Sequence, residues 1–353
     1  MVNNMWDQLK ILKHQDVIKS IYSYNSIPIH VEIEPTEICN NRCIFCHWHG
    51  KERKGNLSNF DFTGHRSLPL KRFLSLIEEL KKIGTVAISF TGVGDPLMYK
   101  GIEKIFDKII NSNMEFAVTS NFNMKLSDSI IKLLKNASWL RWSANAGSKD
   151  MYQKIHNPQG GLDFLDTLAN IKRLLSGKRK AKINASYVIC ENNQDGIIKA
   201  TKIVKDLGID SISFRPDSSF KRSVKGLEYN KDMIQTLEEA KKLKKAGFEV
   251  FANYDRLKEF KKNKEDLYCY YSNHSVYIAA NGDVYPCCMT RYDKKYSFGN
   301  ILDKTFKEFW NSEQRKQNYK KINNRFCPPC RHTQDNCVLK LLYGDGDKLD
   351  NFI

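Results

Sequence analysis

The stretch EIEPTEICNNRCIFC, residues 32–46, opens with strand-like alternation and closes with Cys39, Cys43 and Cys46 in the spacing C-x3-C-x2-C. Three thiolates on one tight loop suit three irons of a [4Fe–4S] cluster, because soft sulfur ligands favour iron–sulfur chemistry. The fourth iron then has no protein ligand and is open to a reacting molecule. The competing reading is zinc, with His47 or His49 completing the ligand set.

On either side of that loop a rhythm repeats. HVEIEP (30–35), TVAISF (85–90), EFAVTS (115–120), LRWSAN (140–145), INASYVIC (183–190) and SISFRP (211–216) are strand candidates. They alternate with helical runs such as LKRFLSLIEELKKIG and LDFLDTLANIKRLLSG, several of which start near Asp or Ser and stop at Gly or Asn, as capping favours. Such alternation argues for parallel strands with helical crossovers. Six units give a partial α/β barrel over residues 28–255, which FEVFAN at 248–253 extends. Residues 5–24 read as an amphipathic helix in an N-terminal extension, 1–27. In parallel barrels functional groups lie at the carboxyl ends of the strands.

After about residue 265 the rhythm breaks. YCYYSNHSVYIAANGDVYPCC reads as a hairpin around Asn281–Gly282. The helical run KTFKEFWNSEQRKQNYKKI follows, and the cysteines are laid out as Cys269-x17-Cys287 and Cys327-x2-Cys330, with Cys288 and Cys337 left over. This predicts a small α+β domain over 265–345, poor in apolar residues and dependent on metal for its stability.

With Phe45 before its last cysteine, the first loop resembles the C-x3-C-x-aromatic-C signature of the radical S-adenosylmethionine (SAM) superfamily, and the resemblance covers about residues 28–220. It implies an open iron that binds the amino and carboxylate groups of SAM, cleavage to a 5′-deoxyadenosyl radical, and Phe45 against the adenine. FTGVGDP (90–96) resembles the family's Gly-Gly-Glu motif, with Val93 at a usual glycine and Asp95 in place of Glu. Gly92, Val93, Gly94 and Asp95 are thereby assigned to the SAM amino group. TSN (119–121) offers Ser120 and Asn121 to the ribose or carboxylate. SAN (143–145) resembles a Ser-x-Asp pattern, which adds Ser143 and Asn145. Alone, each of these strand-end motifs is a common cap or turn; their succession carries the resemblance. VYIAANGDVYPCC, FGNILDKTFKEFWNS and CPPC resemble the SPASM domain or its shortened twitch form. That implies one auxiliary [4Fe–4S] cluster held by Cys269, Cys287, Cys327 and Cys330, with structural zinc as the alternative.

Composition bounds the rest. The chain has 353 residues, 41% of them hydrophobic, enough for one or two domains. It has no apolar stretch of bilayer length and no secretory layout at the N-terminus, so a cytoplasmic setting without a membrane partner is expected, and the radical SAM resemblance implies an anaerobic one. Clustered cysteines there bind metal more often than they form disulfides. Cys190, standing alone, reads as a small buried residue. The net charge of +17 is scattered through KRKAK (178–182), KKLKK (241–245) and KKNK (261–264). No nucleic-acid-binding motif accompanies it, so it favours an acidic substrate over nucleic acid.

An auxiliary cluster implies an electron acceptor, hence two-electron oxidation of a C–H or alcohol carbon in a sugar, cyclitol or related metabolite. The family also implies a donor such as flavodoxin or ferredoxin. Arg215, in FRPD, is the candidate substrate clamp or a structural ion pair, with His47, Trp48 and His49 as lesser candidates. Only about 28 residues precede the first strand, which leans toward the small substrate. A peptide or protein maturase is the alternative, and a zinc-bearing RNA-binding protein the second.

Overall fold

The computed structural model describes residues 8–14, 26–50, 66–217, 231–252, 268–322, 327, 330 and 332–343. The predicted strands form where expected: β1 (His30–Ile33), β2 (Ala87–Phe90), β3 (Glu115–Ser120), β4 (Trp139–Ser143), β5 (Lys182–Ile189), β6 (Ser211–Pro216) and β7 (Glu249–Ala252). One face of each strand is apolar and packs on the helices, while the other carries polar side chains such as Ser89, Asn184, Ser186 and Ser211 that are buried all the same; β5 is buried at seven of eight positions. The covering helices are α1 (Leu70–Ile83), α2 (Ile102–Asn111), α3 (Asp128–Leu134), α4 (Lys149–His156), α5 (Phe164–Leu175), α6 (Ile197–Leu207) and α7 (Lys231–Lys242). Side chains of Ser127, Ser148 and Asp163 cap α3, α4 and α5 by accepting from first-turn backbone N–H groups. β1 to β7 pair in chain order, all parallel, and form the partial barrel.

The C-terminal part departs from expectation. β8 (Ser275–Ile278) turns at Asn281–Gly282 into β9 (Asp283–Tyr285), and β10 (Gly299–Asn300) follows. β8 pairs parallel to β1, His30 opposite Ser275 and Ile33 opposite Ile278, so the hairpin continues the barrel sheet to ten strands. A strand there satisfies backbone groups that an edge strand would leave open. His30 ties the joint, its Nδ1 lying 3.1 Å from Ser275 Oγ and its Nε2 2.9 Å from Ser89 Oγ.

The helices α8 (Phe306–Asn311), α9 (Glu313–Lys320) and α10 (Thr333–Tyr343) complete the described chain. The single helix predicted over α8 and α9 breaks at Ser312, whose extended backbone and side chain cap the second piece. Val276, Ile278, Val284, Phe298, Phe306, Phe309 and Trp310 share one continuous core with β1 and β2. Arg72 on α1 clamps the same region, donating to the carbonyls of Ile301 and Lys304 at 2.9 Å each. The α+β unit expected after the barrel is present, and it shares the barrel's sheet and apolar core instead of being poor in apolar residues.

At the other end, Gln8–His14 is a 3-10 helix, and the rest of the helix predicted over 5–24 lies outside the described residues, as does KKNK. No described helix is long and apolar enough to cross a membrane.

Candidate active site

The loop after β1 is held by its neighbours rather than by itself. Arg42 N donates to the His156 carbonyl at 3.0 Å and Ile44 N to the Ile155 carbonyl at 3.0 Å, so the last turn of α4 carries the middle of the cysteine loop. The paired asparagines of CNNRC lace it to the loop after β3. Asn40 Nδ2 donates to the Asn123 carbonyl, Asn121 Nδ2 to Asn40 Oδ1 at 2.8 Å, and Asn123 Nδ2 to Asn41 Oδ1 at 3.5 Å. Local bonds then shape the cysteines: Cys46 N donates to the Cys43 carbonyl at 2.9 Å, and His49 N to Cys46 Sγ at 3.3 Å.

Cys39, Cys43 and Cys46 are all half-buried. Burial pushes the Cys39 thiol up to about 12, and it pushes Cys43 well up, each helped by the neighbouring cysteine charges. Cys39 and Cys43, whose ionisation burial resists, stand with Cys46 as soft donors that a cationic iron–sulfur core would suit. Among the described residues, no three His, Cys, Asp or Glu side chains close on a single-ion position.

The loop after β2 packs against this segment through glycines. A Cβ on Gly94 would lie 2.4 Å from the Ile38 carbonyl oxygen and 2.5 Å from that of Thr36; on Gly92 it would lie 2.4 Å from Glu34 Cγ. Backbone cannot yield at Gly94, and Asp95 N donates to the Ile38 carbonyl at 2.9 Å. The buried Asp95 carboxylate is fully engaged. It accepts from Leu97 N at 3.0 Å, Ser120 Oγ at 2.9 Å and Asn121 N at 2.8 Å, and burial raises its pKa to about 6.

The strand-end residues expected to face SAM are therefore mostly spent within the protein. Ser120 Oγ donates to Asp95 and accepts from Phe122 N at 2.9 Å. Asn121 Oδ1 accepts from Asn123 N at 2.7 Å. Asn145, at φ 51°, accepts from Val188 N through Oδ1 at 2.7 Å. These groups fix the loops at the strand ends, and short polar side chains at loop positions that need a positive φ or a tight turn explain the sequence pattern equally well. Gly92 and Gly94 line the loop, Val93 is buried, and Ser143 and Phe45 stay half-exposed.

Glu34, which follows β1, was not singled out from the sequence. It is buried and accepts from the Tyr277 hydroxyl and, at 3.0 Å, from that of Tyr292; Tyr292 also lies 2.8 Å from Glu37 Oε1. Burial raises the Glu34 pKa to about 7, against the lowering charge of Arg291. Arg291 lies over the rings of Trp48 at 5.1 Å and Tyr277 at 5.6 Å, and it donates to the Cys288 carbonyl at 2.8 Å. Trp48, Val93, Tyr277, Tyr285, Cys288 and Tyr292 form an apolar cluster with Cys46 and Cys327 packed on it. It joins the first cysteine loop to the C-terminal one.

There, Cys269 precedes a 3-10 turn, Cys287 ends the hairpin, and Cys330 sits just before α10. Burial first, then Cys288, Cys269 and Cys330, raises the Cys287 thiol, so these sulfurs share one neighbourhood. Cys327, like Cys269, packs against the main apolar core, and its charge helps to raise the Tyr296 pKa after burial. Cys190 is buried and Cys337 exposed. Arg215 is half-exposed near the end of β6, opposite Val188. His156, Asn40, Asn41 and Asn123 were missed as well; the doubled asparagine in CNNRC is the one visible signal.

Comparison with known proteins agrees with this arrangement. The radical SAM superfamily model matches residues 33–198, and that of an iron–sulfur cluster-binding domain, SPASM, matches 269–337. GTP 3′,8-cyclase of Helicobacter pylori is 25% identical over 317 residues, spanning 82% of this chain and 94% of the cyclase. The subtilosin biosynthesis protein AlbA of Bacillus subtilis is 22% identical over 332 residues, spanning 87% of this chain and 67% of AlbA. The fold matches Streptococcus suis SuiB bound to its precursor peptide SuiA with TM-score 0.63 and 16% identity, over 91% of this chain and 73% of SuiB.

Proposed function

Because this chain belongs to the radical SAM superfamily and ends in a SPASM-type cluster-binding domain, we propose that it modifies a carbon of a peptide or protein substrate. SAM, a SAM-binding [4Fe–4S] cluster and an auxiliary [4Fe–4S] cluster are its cofactors. Cys39, Cys43 and Cys46 would hold the first cluster, and Cys269, Cys287, Cys327 and Cys330 the second. When bound, these groups supply a 5′-deoxyadenosyl radical that removes a substrate hydrogen atom, and a nearby one-electron acceptor.

The protein's own part is positioning and exclusion. Gly92 and Gly94 let the loop after β2 close on residues 34–38 beside the cysteine loop, and Asp95 fixes the end of β3 so that this arrangement keeps its shape. The aromatic cluster around Trp48 and Tyr292 keeps water from the space between the two cysteine sites. Half-exposed Arg215 is the candidate contact for a polar or anionic group of the substrate.

The peptide reading displaces the metabolite oxidation favoured from the sequence. Its support is the likeness to AlbA, a bacteriocin biosynthesis protein, over 87% of this chain and 67% of AlbA, together with a fold shared with SuiB in complex with a precursor peptide. The cyclase relatives and the net charge of +17 favour a second reading, a phosphorylated small molecule. Release of 5′-deoxyadenosine separates the two. Reduced enzyme and SAM are mixed with host extract divided into peptide and small-molecule fractions. Stimulation by the peptide fraction that disappears after protease treatment supports the proposal; protease-resistant stimulation by the small-molecule fraction alone overturns it.

A further inference from the structure

We propose that His156 is a positioning residue for the radical-generating cluster: its imidazole holds the Cys43 sulfur and sets how readily that cluster is reduced. Nδ1 lies 3.3 Å from Cys43 Sγ and 3.3 Å from Asn41 Nδ2. Nε2 lies 3.1 Å from the Ala144 carbonyl oxygen and 3.4 Å from Asn145 Nδ2. The bond from Val188 N to Asn145 Oδ1 orients that amide, so its Nδ2 faces the ring. Each ring nitrogen therefore meets both a donor and an acceptor, and both neutral tautomers are satisfied. With the proton on Nε2, the ring donates to Ala144 and its Nδ1 accepts from Asn41 or from the Cys43 thiol. With the proton on Nδ1, it donates to a Cys43 thiolate and accepts from Asn145.

Iron binding demands the thiolate. A change of tautomer lets one buried imidazole serve both forms of Cys43 with no change in net charge. Nothing else in its setting is loose. His156 is 1% exposed, Tyr152 stacks on it at 4.4 Å, and its backbone carbonyl already carries Arg42 N. An N–H directed at a ligand sulfur stabilises the added electron and raises the reduction potential. Asn145, assigned to SAM from the sequence, thereby acts through His156. The inference rests on Cys43 being a cluster ligand and is independent of the substrate.

The test is a redox titration of the anaerobically reconstituted holoenzyme, following the EPR signal that changes when SAM is added. His156→Asn places an amide N–H where Nδ1 stands, His156→Gln places one where Nε2 stands, and His156→Phe keeps only the stacking. Loaded iron is expected to match wild type in all three. The potential should be near wild type in His156→Asn and more negative in His156→Gln and His156→Phe, with SAM cleavage slowed about tenfold in the last two. Equal potentials in all four proteins, or an asparagine variant shifted as far as the glutamine one, overturn the proposal. So does equal iron loss in all three variants, the mark of a packing role. Full iron in Cys43→Ala would remove the premise instead, which keeps the two failures apart.

Discussion

Cys39, Cys43 and Cys46 come from eight consecutive residues, whereas Cys269, Cys287, Cys327 and Cys330 arrive from a 3-10 turn, a hairpin end and the approach to α10. The first loop is shaped by α4 carbonyls and by asparagines from the β3 end, bonds made between protein groups alone. Around the second set, Tyr271 N donates to Asn336 Oδ1 at 2.9 Å, which ties the 3-10 turn to α10, and His332 N donates to Cys330 Sγ at 3.3 Å. Cys269 and Cys327 pack against the main apolar core, and the Tyr319 hydroxyl donates to the Cys269 carbonyl at 3.3 Å. A preformed site spends metal-binding energy on chemistry, while a site gathered from distant segments spends part of it on folding.

The sharpest attempt to break that contrast replaces Cys39, Cys43 and Cys46 with Ala together. SAM cleavage should fall to background and iron should drop from about eight to about four per chain. The melting temperature should move by no more than about 2 °C, since the lacing does not need the cluster. Iron analysis and calorimetry check both halves, and unfolding of the triple variant would refute preformation.

Cys287→Ala should do the reverse. It is expected to cost about 3 kcal/mol of stability while leaving substrate-free SAM cleavage in place. Denaturant unfolding and 5′-deoxyadenosine release measure the two effects.

Glu34, between the regions, sharpens the contrast through pH. Its folded pKa of about 7 lies above the ordinary 4.5. The folded state therefore binds this proton more tightly, and the corresponding stability is lost as pH rises from about 4.5 through about 7. Glu34→Gln should gain about 2 kcal/mol over wild type at pH 8 and nothing at pH 4.5. His30, His156 and His274, each held near 4 by burial, act oppositely below about 6.5, but they are common to both proteins and cancel in the difference. A variant less stable at pH 8 would mean that Arg291 outweighs burial.

The smallest effect is at Ser148, whose side chain caps α4 by accepting from Met151 N at 3.3 Å. Ser148→Ala should cost about 1 kcal/mol with full iron loading, because the cysteine loop depends on the other end of that helix.

Much of the barrel was legible because its signals are local. The seven strands were marked by short apolar runs and the helices by their caps, and the Asn281–Gly282 turn located the hairpin. What could not be read was which surfaces these elements would share. An apolar hairpin such as SVYIAANGDVY carries no mark distinguishing a separate sheet from a place beside β1, because backbone pairing is indifferent to sequence. Ser120, Asn121 and Asn145 show the same limit at the site. Their residue types suit a ligand or a neighbouring protein group equally, and each bonds a neighbour: Ser120 donates to the Asp95 carboxylate, Asn121 Oδ1 accepts from Asn123 N and Asn145 Oδ1 from Val188 N.

The sequence by itself determined the three-cysteine loop, the order of strands and helices around it, and a second cysteine group after the barrel, because spacing and periodicity are properties of adjacent residues. Only the tertiary structure decided that β8 lies against β1, that Tyr277 and Tyr292 close on Glu34, and that His156 meets Cys43. Those contacts join residues more than 100 positions apart, and their partners are selected by packing and burial, which leave no periodic trace in the chain.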